Sequence, residues 1–256
     1  MNREQAIGVF KEYTDHYDSK DTKVWLKIEH SYRVCDIALQ IASSVFSDDK
    51  DIELAWIMGL LHDIGRFEQL RRYGTFLDAH SIDHAELGAD ILFKDGIIDR
   101  FNTDGLPDDW MILTEKAIRL HNKLNLPGDL TVREKLFCDI LRDADKVDIF
   151  RVLAEIPYEK RANYENPPKR ECARDEVMIC VKEHRCVPRV FERSRFEAQI
   201  SQCCMAFELV YDESRKLVVM QGNLMKLIEE AKKDANDKEF EQMCFLEDEL
   251  KKYFKG

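Results

Sequence analysis

Six side chains of the metal-ligand type recur along the chain at positions where helical spacing turns them inward: His30, His62, Asp63, His84, His121 and Asp145. For example, His30 lies four residues before Val34 and Asp145 lies four residues after Leu141, so each shares the apolar stripe of its helix. Burying an ionised carboxylate without a partner is costly, whereas a divalent cation keeps carboxylates ionised and imidazoles neutral. Two carboxylates and four imidazoles suit one or two divalent transition-metal ions (Fe, Mn, Co, Ni or Zn) better than Mg or Ca.

The elements that would position these side chains are helices. The 256 residues include only 10 Gly and 6 Pro, a composition that favours helix over sheet. Apolar residues at helical spacing predict one helix through residues 34–45 and a second, apolar nearly all round and therefore central, over residues 52–64. A third is predicted to start after Ser81 as its N-cap, a fourth near Asp108, and a fifth at a capping box formed by Thr131 and Glu134.

The sequence also predicts how the chain is divided. Pro167 and Pro168 interrupt the helical pattern. We predict an all-α fold with a metal-binding helical core over residues 1–164 and a C-terminal helical extension over residues 165–256, packed on the core. The extension is predicted to hold helices over residues 172–184, 196–211, 214–231 and 238–254, with a bend at Gly222. Residues 66–80 show no clear period and are predicted to form a loop that covers the site, with His80 exposed.

Composition and charge limit the kinds of partner that this protein is expected to bind. The net charge of −11 argues against a broad nucleic-acid or anionic-membrane surface. No stretch approaches the roughly 18 to 20 apolar residues of a membrane helix, and the charged start lacks the apolar segment of a secretory signal. We therefore expect a cytoplasmic protein that acts on a small molecule, with neither a nucleic acid polymer nor a membrane as partner. The eight cysteines include no CxxC pair and are expected to be reduced thiols.

The motifs around the six side chains resemble those of the HD-domain superfamily of metal-dependent phosphohydrolases. In the order that the family shows, they are KIEHSYRV with His30, GLLHDIGRFE with His62 and Asp63, DHAELGADIL with His84, IRLHNK with His121, and RDADKVDIF with Asp145. The ordered set covers about residues 24–150, and HDIGR at the end of a helix is its most specific part. The C-terminal part is similar to the helical extension of bacterial HD-domain proteins of unknown substrate.

The resemblance implies two sets of metal ligands. The first metal would be held by His30, His62, Asp63 and Asp145. Family members with a second metal add two histidines, which here correspond to His84 and His121, and the Asp of the His-Asp pair bridges the two ions. The cyclic-dinucleotide phosphodiesterase branch is disfavoured, because Asn122 follows His121 and no Gly-Tyr-Pro motif occurs.

The resemblance further implies hydrolysis of a nucleotide or another small phosphoester, with metal ions that acidify a water and polarise a phosphoryl oxygen. Asp63 would bridge and orient the metal ions, and Arg66 would neutralise a phosphate oxygen through parallel hydrogen bonds. Arg142 and Lys146, which flank Asp145, are predicted to reach the phosphate as well. Two alternatives stay open: an HD-fold di-iron oxygenase with the same ligands, and a regulatory metal- or nucleotide-binding module without turnover.

Overall fold

The protein is all-α. The computed structural model describes residues 2–18, 20–101, 104–156, 167–188 and 192–255, and within these ranges there is no strand. The chain forms two compact units, Met1–Asp145 and Lys146–Gly256. The predicted boundary between residues 164 and 165 lies outside the described residues, so the division into 1–164 and 165–256 stays a prediction. In the described ranges no helix combines the length and the apolar character that crossing a membrane requires.

The first unit is a set of packed helices in which α3 is central. The helices are α1 (Arg3–Thr14), α2 (Thr22–Val45), α3 (Asp49–Leu61), α4 (Ile64–Tyr73), α5 (His84–Ala89), α6 (Trp110–Leu120) and α7 (Val132–Glu155), the last of which runs on into the second unit. Every residue from Leu54 to Leu61 is buried, which confirms the predicted central helix. The predicted capping box is also present, because the Thr131 amide donates to Glu134 and the Glu134 amide donates to Thr131.

Two glycines let neighbouring helices touch backbone to backbone. A Cβ on Gly59 of α3 would lie 2.9 Å from the Cα of Cys35 on α2. A Cβ on Gly65, near the start of α4, would overlap the carbonyl oxygen of His84 on α5. Only glycine allows such close approaches. These contacts therefore bring the histidine-bearing parts of α2, α3 and α5 to the junction between α3 and α4.

Helix α4 shows where the sequence-based prediction was wrong. Residues 66–80 were predicted as a loop, but α4 continues to Tyr73 and buries Phe67 and Leu70. Many charged residues in this segment obscure its apolar period. Hydrogen bonds from Arg71, together with those from Arg72, lower the pKa of the buried Glu68 to about 2.

Two helix starts also differ from prediction. Helix α1 was not anticipated, because its apolar residues Ala6, Ile7, Val9 and Phe10 form one short cluster in which helical spacing does not stand out. The N-cap of α5 is Asp83 rather than Ser81, and its Oδ1 accepts hydrogen bonds from the amides of Ala85 and Glu86. Both Ser81 and Asp83 are good capping types, and the choice between them depends on where the preceding segment enters the helix.

The second unit contains α8 (Asp175–Lys182), α9 (Arg195–Cys204), α10 (Asp212–Gln221), α11 (Asn223–Lys233) and α12 (Asp237–Tyr253). A 3₁₀ turn, Met205–Glu208, follows α9 where one longer helix was predicted. Gly222 has a φ of +67° and separates α10 from α11, which confirms the predicted bend. All eight cysteines of the chain are free thiols.

Candidate metal centre

The six predicted metal ligands come together in space. His30 lies on α2, His62 and Asp63 join α3 to α4, His84 opens α5, His121 follows α6, and Asp145 lies on α7. The four histidines and Asp63 are at most 5% exposed, and the side chain of Asp145 is 16% exposed. Donor atoms of these residues form groups that could hold a metal ion.

The carboxylate of Asp63 lies between two pairs of histidines. Its Oδ2 lies 3.6 Å from the Nε2 atoms of both His30 and His62. Its Oδ1 lies 3.4 Å from Nε2 of His84 and 3.7 Å from Nε2 of His121. Asp63 occupies the N-cap position of α4 but makes no capping hydrogen bond with its side chain. The carboxylate is therefore directed away from the helix, and one of its oxygens faces each of the two histidine pairs.

Hydrogen bonds fix the tautomers of three of the histidines. Nδ1 of His62 lies 2.7 Å from the carbonyl oxygen of Gly59, and Nδ1 of His121 lies 2.7 Å from that of Ile118. Nδ1 of His84 lies 2.7 Å from Oδ2 of Asp78. Since these oxygens accept, each Nδ1 carries the proton, and in the neutral imidazole Nε2 is left with a lone pair. The three lone pairs point into the centre.

These lone pairs need a cation. Nε2 of His84 and Nε2 of His121 are 3.0 Å apart, although neither has a proton to donate in this tautomer. Burial, together with the nearby Arg66 guanidinium, lowers the pKa of His84 to about 4, so that its imidazole is neutral near pH 7. Two facing lone pairs repel each other, and an ion bound between them removes the repulsion. The donor chemistry therefore fits a bound metal.

The spacing of the donors fits as well. With bonds of about 2.1 Å, two ligands at 90–110° around one ion lie about 3.0 to 3.4 Å apart. We define the first donor group as His30, His62, Asp145 and Oδ2 of Asp63, in which Oδ1 of Asp145 lies 3.1 Å from Nε2 of His30. The second donor group is His84, His121 and Oδ1 of Asp63. Most donor separations in both groups lie in or near that range.

Both carboxylates are kept ionised. Burial by itself would raise the pKa of Asp63, but the Lys27 ammonium, 2.6 Å from Oδ2, and the Arg66 guanidinium outweigh it and hold the pKa well below its usual range. Burial likewise opposes ionisation of Asp145, and the hydrogen bond from His30, whose Nε2 lies 3.1 Å from Oδ1, lowers the pKa of this carboxyl group. An ionised carboxylate is the form that binds a metal.

Arg66, the predicted phosphate-binding residue, lies beside Asp63. Its Nη1 donates to Oδ1 of Asp78, to Oε1 of Gln69 and to the carbonyl oxygen of Phe76. Its Nε lies 3.5 Å from Oδ1 of Asp63 and is buried without a hydrogen-bond partner. The guanidinium is thus anchored at one end, and a free N–H remains next to the second donor group.

The two other predicted phosphate contacts are engaged elsewhere. Nη2 of Arg142 donates to the carbonyl oxygen of Leu124 at 2.9 Å. The Lys146 ammonium lies 3.2 Å from Glu208, within the second unit. The roles assigned to Arg142 and Lys146 stay predictions.

Two residues at the centre were missed from the sequence. Lys27 lies three residues before His30 on α2, and this spacing on one face was a usable signal. Asp78, which holds both His84 and Arg66, lies in the segment between α4 and α5, where no periodic pattern marks it. Its role depends on how that segment folds back onto the helices.

Comparison with known proteins identifies the first unit. No curated protein and no solved structure shows a significant match to the chain. Residues 28–149 match the family model of the HD domain, and this range contains all six residues of the two donor groups. HD-domain proteins bind divalent metals, in agreement with the donor set found here. Residues 28–149 therefore form an HD domain, the domain of a superfamily of metal-dependent phosphohydrolase-like proteins.

Proposed function

We propose that the protein is a metal-dependent phosphohydrolase that acts on a nucleotide or another small phosphoester at a dinuclear centre. The observation that carries this proposal is the placement of Asp63, whose two oxygens face two separate histidine pairs. One carboxylate in this position can bridge two ions. Carboxylate and imidazole donors together suit Fe, Mn, Co, Ni or Zn.

In this proposal the first donor group would hold one ion and the second donor group would hold the other. Bound divalent ions would supply a Lewis acid for the phosphoryl oxygen and an acidified water as nucleophile. Hydrogen bonds from Nδ1 hold the rings of His62, His84 and His121 in place and keep each Nε2 available as a donor. Asp63 contributes a fixed negative charge shared by the two positions.

Arg66 is proposed to bind the phosphoryl group. Asp78, Gln69 and Phe76 fix the Nη1 end of its guanidinium, so little conformational entropy is lost when a ligand binds. Its buried Nε–H lacks an acceptor, and a phosphoryl oxygen is a strong one. The charge of Arg66 would stabilise negative charge that develops on the phosphoryl oxygens.

The size of the substrate follows from the charge of the protein. A net charge of −11 disfavours a long polyanion, whereas a single phosphoester needs only a small local basic site. We therefore propose a small-molecule phosphoester as the substrate rather than a nucleic acid polymer.

The test is hydrolysis by metal-loaded protein under anaerobic conditions. Apoprotein is reconstituted separately with Mn²⁺, Co²⁺, Zn²⁺ or Fe²⁺, its metal content is measured, and a panel of phosphomonoesters and phosphodiesters is assayed for released phosphate or alcohol. We expect turnover that depends on metal and disappears in Asp63→Ala. In a parallel assay with O₂ present, substrate-dependent consumption of O₂ without phosphoester cleavage would instead identify an oxygenase. Ligand binding without any reaction would identify a regulatory module.

A further inference from the structure

Lys27 is a second cationic side chain at the centre. It lies on α2, one helical turn before His30, and its Nζ is 2.6 Å from Oδ2 of Asp63. The side chain is only 17% exposed. A lysine ammonium is strongly hydrated and is rarely buried without a defined partner. Its position next to the His-Asp pair therefore indicates a role of Lys27 at this centre.

Lys27 and Arg66 both lie beside the carboxylate of Asp63, each next to a different oxygen. Lys27 contacts Oδ2, the oxygen of the first donor group, and Nε of Arg66 lies nearest to Oδ1, the oxygen of the second. Both cations lie against the ring of Phe76, with Nζ of Lys27 at 5.6 Å and Cζ of Arg66 at 5.7 Å from its centroid. The aromatic ring attracts both charges and holds them near each other.

The contact between Lys27 and Asp63 competes with metal binding. Oδ2 of Asp63 is also the atom that the first donor group offers to an ion. A divalent cation on that oxygen draws away its negative charge and repels a neighbouring ammonium. In the metal-loaded protein Lys27 therefore needs another anionic oxygen close by.

We propose that Lys27 is a substrate-binding residue of this site and, with Arg66, selects a phosphoryl group that carries two negative charges. The inference rests on the proposed function. A phosphomonoester dianion has three non-bridging oxygens, enough to accept from both cations while one oxygen remains for a metal ion. A phosphodiester has two non-bridging oxygens and one negative charge, so it satisfies the cation pair less well. The substrate class is thus a phosphomonoester.

Inorganic phosphate is the probe for the test. Its affinity for the metal-loaded wild type, Lys27→Met and Lys27→Arg is measured by calorimetry, together with the metal content of each. We expect Lys27→Met to keep the metal and to bind phosphate about tenfold to hundredfold more weakly, because one charge-assisted hydrogen bond is lost. Lys27→Arg is expected to keep most of the affinity. Phosphomonoester turnover should show a raised KM in Lys27→Met, whereas the KM of any phosphodiester should change little.

The matched control is Lys23→Met, which removes the same charge one turn earlier on α2. Lys23 is exposed, and its Nζ donates to the carbonyl oxygen of Gly74 at 3.4 Å, away from Asp63, so phosphate affinity should not change. Phosphate affinity of Lys27→Met within twofold of wild type would overturn the proposal. Loss of bound metal from Lys27→Met would also overturn it, since Lys27 would then only support Asp63.

Two further results separate the possible outcomes. If Lys27→Met does not fold, Lys27→Gln replaces it, because its amide can still donate to Asp63 while it lacks the charge. Weakened phosphate binding in that variant supports the proposal, and unchanged binding contradicts it. If the wild type hydrolyses no phosphoester but its phosphate affinity still depends on Lys27, the proposed reaction fails and the binding role of Lys27 stands.

Discussion

Replacing Asp63 by alanine tests the bridge directly. Asp63 is the one residue that belongs to both donor groups, with an oxygen 3.6 Å from His62 and the other 3.4 Å from His84. Asp63→Ala should therefore lose both ions. His84→Ala removes a ligand from the second donor group alone and should retain one ion. His80 is exposed and belongs to neither group, so His80→Ala should retain the full metal content.

The expected loss of metal affinity in Asp63→Ala follows from the removal of a direct ligand from both donor groups. Removing a residue that only supports a metal ligand costs about 10- to 100-fold in affinity, so removing a shared ligand should cost at least about 100-fold at each site. At a free metal concentration of 100 times Kd, one site stabilises wild type by about 2.7 kcal/mol. For a chain of this length, that corresponds to a rise in Tm of about 5 to 10 °C. With a 100-fold weaker Kd the same metal concentration gives about 0.4 kcal/mol, or about 1 °C.

The assay combines metal quantification after dialysis with thermal melting at several metal concentrations. The metal-dependent shift in Tm is the quantity to compare, because Asp63→Ala also leaves the Lys27 ammonium without its carboxylate and lowers stability without metal. Asp63→Asn keeps an oxygen for Lys27 and serves as the second variant if the alanine variant does not fold. One ion retained in Asp63→Ala would refute the bridge, and two retained would refute the assignment of the site.

Three further predictions concern the surroundings of the centre. Asp78→Asn should weaken metal binding at the second donor group by about 10- to 100-fold in a chelator titration and leave the first unchanged, because Asp78 orients the ring of His84; equal losses at both would contradict this. Glu68→Gln should lower the free energy of unfolding by about 1 to 2 kcal/mol at pH 7. The carboxylate of Glu68 has its pKa lowered from 4.5 to about 2, so its contribution is present above pH 4.5 and is lost as the pH falls through about 2. Urea unfolding curves of the two proteins should converge over that range, and a constant difference would refute the reasoning. Gly65→Ala should cost about 1 to 3 kcal/mol in urea unfolding because its Cβ meets the backbone of α5; Gly8→Ala, with nothing within 4 Å of the new Cβ, should be neutral or stabilising.

Much of the fold could be predicted from local patterns. Four features depend only on residues that are close together in the sequence: the all-α class, the buried α3, the capping box at Thr131 and the bend at Gly222. Local spacing failed in α4, where charged residues form ion pairs on the helix surface and hide the short apolar stripe. The start of α5 was misplaced by two residues, since Ser81 and Asp83 are equally good capping types.

The types of the metal ligands and their inward direction were readable along the chain, because helical periodicity places His30 and Asp145 on buried faces. Their mutual arrangement was not, since it depends on contacts between residues that are far apart in sequence. Packing of α2, α3 and α5 decides that one oxygen of Asp63 faces each histidine pair. It also brings two more residues to the centre: Lys27, from the motif that carries His30, and Asp78, from a segment with no ligand motif of its own. Periodicity encodes which side of a helix is buried, whereas distances of 3 Å between side chains of different helices are set only when the backbones pack.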